Sequence, residues 1–201
     1  GGLKKSVALM DFPRCSKDVT VVEGILDAKI AKARGLETVV PMNGTHLHTD
    51  IALTMSEQGV ERLTLCLDND ESGIKATYKI VRKLLNQCPE MRLFVAQLPD
   101  GVKDPDELIR KQGIEAFQAS LDTAINAGEY LASIYKPRIV KHNETGMVSK
   151  QRDEIFTYCL GAADSLSNPQ DKFAFISAMS EVLPELAVGQ GMPIEVIASR
   201  T

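Results

Sequence analysis

Leu63-Thr64-Leu65-Cys66-Leu67-Asp68-Asn69-Asp70-Glu71-Ser72-Gly73-Ile74 is the stretch on which the fold turns. Its first five residues form a continuous apolar run rather than an alternating one, the pattern of a strand covered on both faces in a parallel sheet. Acidic residues follow at once, and Ile74 to Leu85 then carries the spacing of a strong amphipathic helix. Upstream, Val19-Thr20-Val21-Val22 is a β-branched run, and Ile25 to Arg34 has helical spacing that stops at Gly35. Thr38-Val39-Val40 reads as a strand before the turn Pro41-Met42-Asn43-Gly44, and Thr49 to Gln58 reads as a helix stopped by Gly59. Downstream, Leu93-Phe94-Val95-Ala96 is the fourth strand. Strands separated by helices of ~10–15 residues are βαβ units. The expected class is α/β, with a mostly parallel four-stranded sheet flanked by helices.

After Pro99-Asp100-Gly101 the strand signals cease. Pro105 to Lys111, Ile114 to Thr123 and Glu129 to Tyr135 read as helices, and the polar stretch His142-Asn143-Glu144-Thr145-Gly146 interrupts the pattern. Ser149 to Asp164 and Gln170 to Leu183 are expected as two helices joined around Ser167-Asn168-Pro169, with Met192-Pro193 opening a last short one. The expected organisation is a lead-in over 1–17, an α/β domain over 18–127 and a small all-helical subdomain over 128–201. No internal repeat is visible.

The chain's 201 residues, 44% of them hydrophobic, suffice for one well-packed domain and a small appendage. No stretch reaches the ~20 continuous apolar residues of a membrane span. Gly1-Gly2-Leu3-Lys4-Lys5 lacks a charged-then-apolar export pattern, so a cytoplasmic location without membrane contact is expected. Cys15, Cys66, Cys88 and Cys159 lie far apart without a C-x-x-C pair, which excludes an evident zinc site and fits a reduced compartment. The net charge of -4 weighs against a protein built on phosphate contacts, unless the acids gather in one cleft.

The acids do fall at equivalent places. Glu23-Gly24 follows the first strand directly, Asp68-Asn69-Asp70 the third, and Asp104-Pro105-Asp106 the fourth after a short loop. In an open parallel sheet the carboxyl ends of the strands share the edge where ligands bind, so Glu23, Asp68 and Asp70 should converge. Asp27 stands four residues after Glu23 on the same helical face. Carboxylates crowded in this way repel one another unless a cation lies between them. Hard oxygen donors without His or Cys select Mg²⁺ or Mn²⁺, the ions of phosphoryl and nucleotidyl transfer.

Plainer roles compete for some of these residues. Asp27 in a first helical turn meets the helix dipole favourably. Asp104-Pro105-Asp106-Glu107 is a near-ideal helix start, with Asp104 as N-cap and Glu107 as capping-box partner, and capping and metal binding are compatible. Asp68-x-Asp70-x-Ser72-Gly73 begins like a calcium loop, but Lys79 stands where a bidentate glutamate is required and a strand precedes it. A phosphatase with Asp68 as nucleophile would carry that residue on its first strand and leaves Glu23 unexplained.

Val21-Val22-Glu23-Gly24-Ile25-Leu26-Asp27, followed by Asp68-Asn69-Asp70-Glu71-Ser72-Gly73, resembles the TOPRIM domain of topoisomerases, bacterial primases and some nucleases. Leu98-Pro99-Asp100-Gly101-Val102-Lys103-Asp104-Pro105-Asp106-Glu107-Leu108-Ile109 resembles the bacterial replicative primases in particular, as do Asn43-Gly44-Thr45 and Gly113-Ile114-Glu115-Ala116-Phe117. The resemblance runs from Val19 to Leu131 and implies a TOPRIM-type, Rossmann-like sheet. It implies Glu23 as general acid/base for the attacking 3′-hydroxyl, Asp68 and Asp70 holding Mg²⁺ or Mn²⁺ on nucleotide phosphates, and Asp27, Asp104 and Asp106 completing a second metal position. The implied reaction is RNA primer synthesis from ribonucleoside triphosphates on single-stranded DNA, with a replicative helicase among the implied partners. Primases of this kind place a zinc module and a basic subdomain before TOPRIM. Neither is present here, so the chain is expected to be a catalytic fragment or reduced relative that needs such regions. DNA cleavage of the nuclease or topoisomerase kind, and a non-catalytic nucleic-acid-binding replication module, are the alternatives.

Two basic groups are candidate phosphate contacts. Lys75, Lys79, Arg82 and Lys83 share one face of a helix, the usual look of a solvated surface. Lys136, Arg138, Lys141, Lys150 and Arg152 surround a glycine-containing loop and are the better nucleic-acid candidates. His46 and His48, two residues apart, do not share a helix face and read as polar helix-entry residues.

Overall fold

The structure is a computed structural model that describes residues 16–42, 49–88, 90–144 and 149–189. Asn43-Gly44-Thr45, His46, His48, Cys15, the Thr145-Gly146 turn and the Met192-Pro193 helix start lie outside the described residues. The chain divides into two compact units, which meet in sequence at Ile125 and Asn126.

In the first unit, β1 (Asp18–Val22), β2 (Val39–Pro41), β3 (Arg62–Cys66) and β4 (Arg92–Val95) alternate with α1 (Ile25–Ala33), α2 (Thr49–Glu57) and α3 (Glu71–Gln87). The sheet order is β2-β1-β3-β4-β5, and the pairs β1–β2, β1–β3 and β3–β4 are all parallel. The step from β1 to β2 runs opposite to the steps from β2 to β3 and from β3 to β4. Right-handed crossovers therefore put α1 on one face and α2 and α3 on the other. Packing agrees: α1 lies against α4 (Pro105–Gln112), and α2 lies against α3. Being covered twice, β3 has no polar face, and Leu63, Leu65 and Cys66 are fully buried. Burial also pushes the Cys66 thiol up to about 12, so it serves as core filler rather than as a thiolate ligand.

On the α1 side, Val22, Ala28, Ala31, Cys66, Leu98, Val102, Leu108, Ile109 and Phe117 form one apolar core. It joins α4 and α5 (Ile114–Asp122) to the sheet, so the segment after β4 is anchored from both ends.

The sheet has five strands, not the four expected. The fifth, β5, is Ile125–Asn126, and two residues are too few to show an apolar pattern. In the second unit, α6 (Ala127–Glu144) is one helix where a shorter one was expected, and it passes through Pro137. The unit continues with α7 (Ser149–Asp164), α8 (Pro169–Met179) and α9 (Glu185–Gly189). α8 stops at Met179, so the expected helix to Leu183 is shorter, and α9 follows it. Asn168 caps α8, its side-chain oxygen accepting from the Gln170 and Asp171 N–H groups.

Candidate metal centre at the carboxyl edge of the sheet

Register sets the site. Val22 pairs with Cys66, and Leu65 with Val95, so β1, β3 and β4 end level with one another. Glu23 is the first residue beyond β1, and Asp68 the second beyond β3. Both stand at the carboxyl edge, half-buried. Asp104 reaches the same edge through the anchored segment after β4.

The three loops are hydrogen-bonded to each other. The Asn69 N–H donates to the Lys103 carbonyl at 2.7 Å, tying the β3 loop to the α4 approach. The Asp106 N–H donates to Asp27 Oδ1 at 3.0 Å, and the Gly24 N–H to Asp27 Oδ2 at 3.0 Å, tying the β1 loop to the start of α4. Gly73 permits the tight β3 loop: a Cβ there would stand 2.0 Å from the Asp68 carbonyl oxygen.

The nominated carboxylates divide by what they touch. Asp70 caps α3, its Oδ1 accepting from the Gly73 N–H at 2.8 Å. Asp104 caps α4, its Oδ1 accepting from the Glu107 N–H at 2.7 Å. Glu107 completes the motif one residue earlier than a capping box would, accepting from the Lys103 N–H at 2.7 Å. Asp106 is ion-paired with Arg110 one turn on. Asp27 is buried with both oxygens engaged. Among the described residues, Glu23 and Asp68 have neither a hydrogen-bond donor nor an ion-pair partner.

Electrostatics single out Asp68. Burial, and then the negative charges of Glu23, Asp27 and Asp104, push its carboxyl up to about 6, with Lys103 opposing the rise. Asp27 is also raised, by burial first, while its bond from Gly24 pulls the other way. The donor chemistry fits a hard divalent cation: all oxygens, anionic, and mutually repelling around one half-buried acid. Among the described residues no three of these side chains already close on a common point that could hold an ion. Lys103 has no assigned role in the sequence reading. Its position just ahead of Asp104 was the available signal, and it is the cation that acts on Asp68.

The basic candidates are placed differently. Lys75 pairs with Glu71 on α3, and Lys79 is exposed on the same helix. Lys136 on α6 is ion-paired with Glu181 at 2.7 Å. The side chains of Arg138, Lys141 and Arg152 lie outside the described residues.

A family described as Toprim-like matches residues 20–109, from within β1 through most of α4. The DNA primase of Staphylococcus aureus strain COL is 34% identical over 142 residues, covering 70% of this chain and 22% of that protein. The DNA primase of Listeria monocytogenes is 35% identical over 108 residues, covering 52% of this chain and 16% of that protein. Among solved structures, a DnaG catalytic core matches with a TM-score of 0.69 at 25% identity, covering 87% of this chain and 55% of that one. A DnaG primase catalytic domain bound to single-stranded DNA matches with a TM-score of 0.71 at 23% identity, covering 87% and 53%. The chain thus spans about a fifth of these curated relatives and about half of the solved domains. Residues 20–109 of this chain match the Toprim-like family, and the sequence and fold are similar to those of bacterial DNA primases.

Proposed function

We propose that the chain contributes the metal-binding half of a primase-type nucleotidyl transferase, extending RNA primers from ribonucleoside triphosphates on single-stranded DNA. The observation that carries this reading is the unpaired Glu23–Asp68 edge, where burial and then neighbouring carboxylates push Asp68 up to about 6. A divalent cation, Mg²⁺ or Mn²⁺, would neutralise that repulsion and stabilise charge developing on phosphate oxygens. Asp68 and the free oxygen of Asp70 are the principal ligands. Glu23, without a competing donor, takes the proton from the primer's 3′-hydroxyl. Asp104, through the oxygen not used in its cap, would help hold a further ion, and Asp106 would join it by leaving Arg110. Lys103, whose charge opposes the rise at Asp68, would balance phosphate charge.

Lys75, Lys79, Lys136, Arg138 and Lys141 are the proposed phosphate contacts for the template, weighted towards Lys79, whose charge is exposed. A template of DNA puts the work of a bacterial-type primase in the cytoplasm, beside a replicative helicase. The relatives' greater length leaves room for a template-holding region on another part of the protein.

The test is incubation of the chain, joined to the zinc and basic regions of a bacterial DNA primase, with single-stranded template, labelled ribonucleotides and Mg²⁺, in parallel with labelled DNA alone. Template-dependent ribonucleotide products that vanish in Glu23→Gln are expected. Shortening of the labelled DNA, or synthesis undiminished by Glu23→Gln, contradicts the reading.

A further inference from the structure

We propose that Asp27 is a positioning residue that clamps the Glu23 loop to the start of α4, and is not itself an ion ligand. The inference rests on the metal-centre reading above and refines it. Asp27 is 6% exposed, and its two oxygens face two different N–H groups, Gly24 and Asp106, each at 3.0 Å. These N–H groups lie far apart in sequence, and both belong to helix starts, Gly24 being the N-cap of α1 and Asp106 standing in the first turn of α4. Helix N-termini are where an anion is stabilised by unsatisfied N–H groups and the dipole. One carboxylate therefore serves two helices at once, and its charge is answered without a cation.

The consequence is geometric. Glu23 is covalently next to Gly24, and Asp104 is two residues before Asp106. The clamp fixes the distance between these two strand-end loops. The Asn69–Lys103 bond then fixes the β3 loop to the same segment, so three acidic loops become one rigid edge. An asparagine has the same shape but only one acceptor oxygen, so its amide NH₂ would confront one of the two N–H groups.

The test uses the full chain and NMR. In the unsubstituted protein, titration with Mg²⁺ alone is expected to move the side-chain carboxyl carbon resonance of Asp68 and to leave that of Asp27 in place. In Asp27→Asn, hydrogen exchange at the Gly24 or Asp106 amide is expected to accelerate about tenfold or more, as loss of a charge-assisted bond requires. Mn²⁺ titration of the same variant is expected to give an unchanged ion count. Movement of the Asp27 resonance together with that of Asp68, or loss of one bound ion in Asp27→Asn, makes Asp27 a ligand and overturns the proposal. Unchanged exchange at both amides overturns it as well. If Mg²⁺ moves neither resonance, the metal-centre reading fails by itself, and the exchange rates still decide the clamp. Should Asp27→Asn fail to fold, the resonances of the unsubstituted protein decide the ligand question, and rapid exchange of its Asp106 amide would refute the clamp.

Discussion

Each unit of this chain holds an aspartate whose carboxyl is pushed up to about 6, but the two reach that value by different routes. Asp68, in the α/β unit, is half-buried, and after burial the causes are other carboxylates: Glu23, Asp27 and Asp104. Asp171, in the helical unit, is raised by burial alone, and the Gly128 N–H that it accepts pulls the other way. Its Oδ2 is buried without a partner. Around Asp171 there is one acid and a helix start. Around Asp68 there are several acids and a single opposing lysine. A shifted carboxyl by itself therefore marks nothing, whereas a carboxyl shifted by its own kind marks a place where a cation would be welcome.

The two regions also depend on one glycine each, and the largest effects should come from these. A Cβ on Gly73 would meet the Asp68 carbonyl oxygen at 2.0 Å, and one on Gly128 the Asp171 carbonyl oxygen at 1.9 Å. Gly73→Ala and Gly128→Ala should each cost about 3 kcal/mol in chemical denaturation, the upper end for overpacking. The comparison sharpens with ions present: Gly73→Ala should also abolish stabilisation by Mg²⁺, whereas Gly128→Ala should retain it.

The next effects depend on pH. Both folded-state values lie above the ordinary carboxylate value of about 4. The penalty for ionising is absent below pH 4, grows as pH rises from about 4 to about 6 and is complete above that. Asp171→Asn should therefore raise stability by about 2 kcal/mol at pH 8, with no gain at pH 4 and no response to Mg²⁺. Asp68→Asn should show the same pH dependence with a gain of about 1 kcal/mol after discounting for solvent screening. That gain should reverse sign once Mg²⁺ stabilises the unsubstituted chain. Thermal melts across pH, with and without Mg²⁺, read all four cases.

Smaller effects concern residues already committed to local structure. Asp104→Ala should cost about 1 kcal/mol by removing the α4 cap. Lys136→Met should cost about 0.5 kcal/mol, because its pair with Glu181 is partly exposed. A loss well beyond these values in urea unfolding would mean that either residue carries more of the fold than its one hydrogen bond or ion pair accounts for.

The sheet was legible in the sequence because a doubly covered strand is buried on both faces, and β1 from Val19 and β3 from Leu63 are buried runs of Val, Leu and Cys broken only by one threonine each. The edge was legible because parallel strands end together, which sets Glu23 close enough to Asp68 for its charge to act there, whereas Asp70 is taken up by the α3 cap. Less local features were not. β5 has two residues and no pattern. α6 runs through Pro137 and a polar stretch, which read as a break. The bond between Asp27 and Asp106 joins residues that no periodicity relates, so the sequence could suggest the Asp104 cap but not the double engagement of Asp27. The pairing of Lys136 with Glu181 was hidden for the same reason.

The most direct test is a Mn²⁺ titration followed by electron paramagnetic resonance, comparing the unsubstituted chain with Asp68→Ala plus Asp70→Ala and with Asp171→Asn. Saturable binding that survives Asp171→Asn and disappears in the double variant is the expected result. Equal binding by all three proteins would contradict a cation site at the carboxyl edge of the sheet.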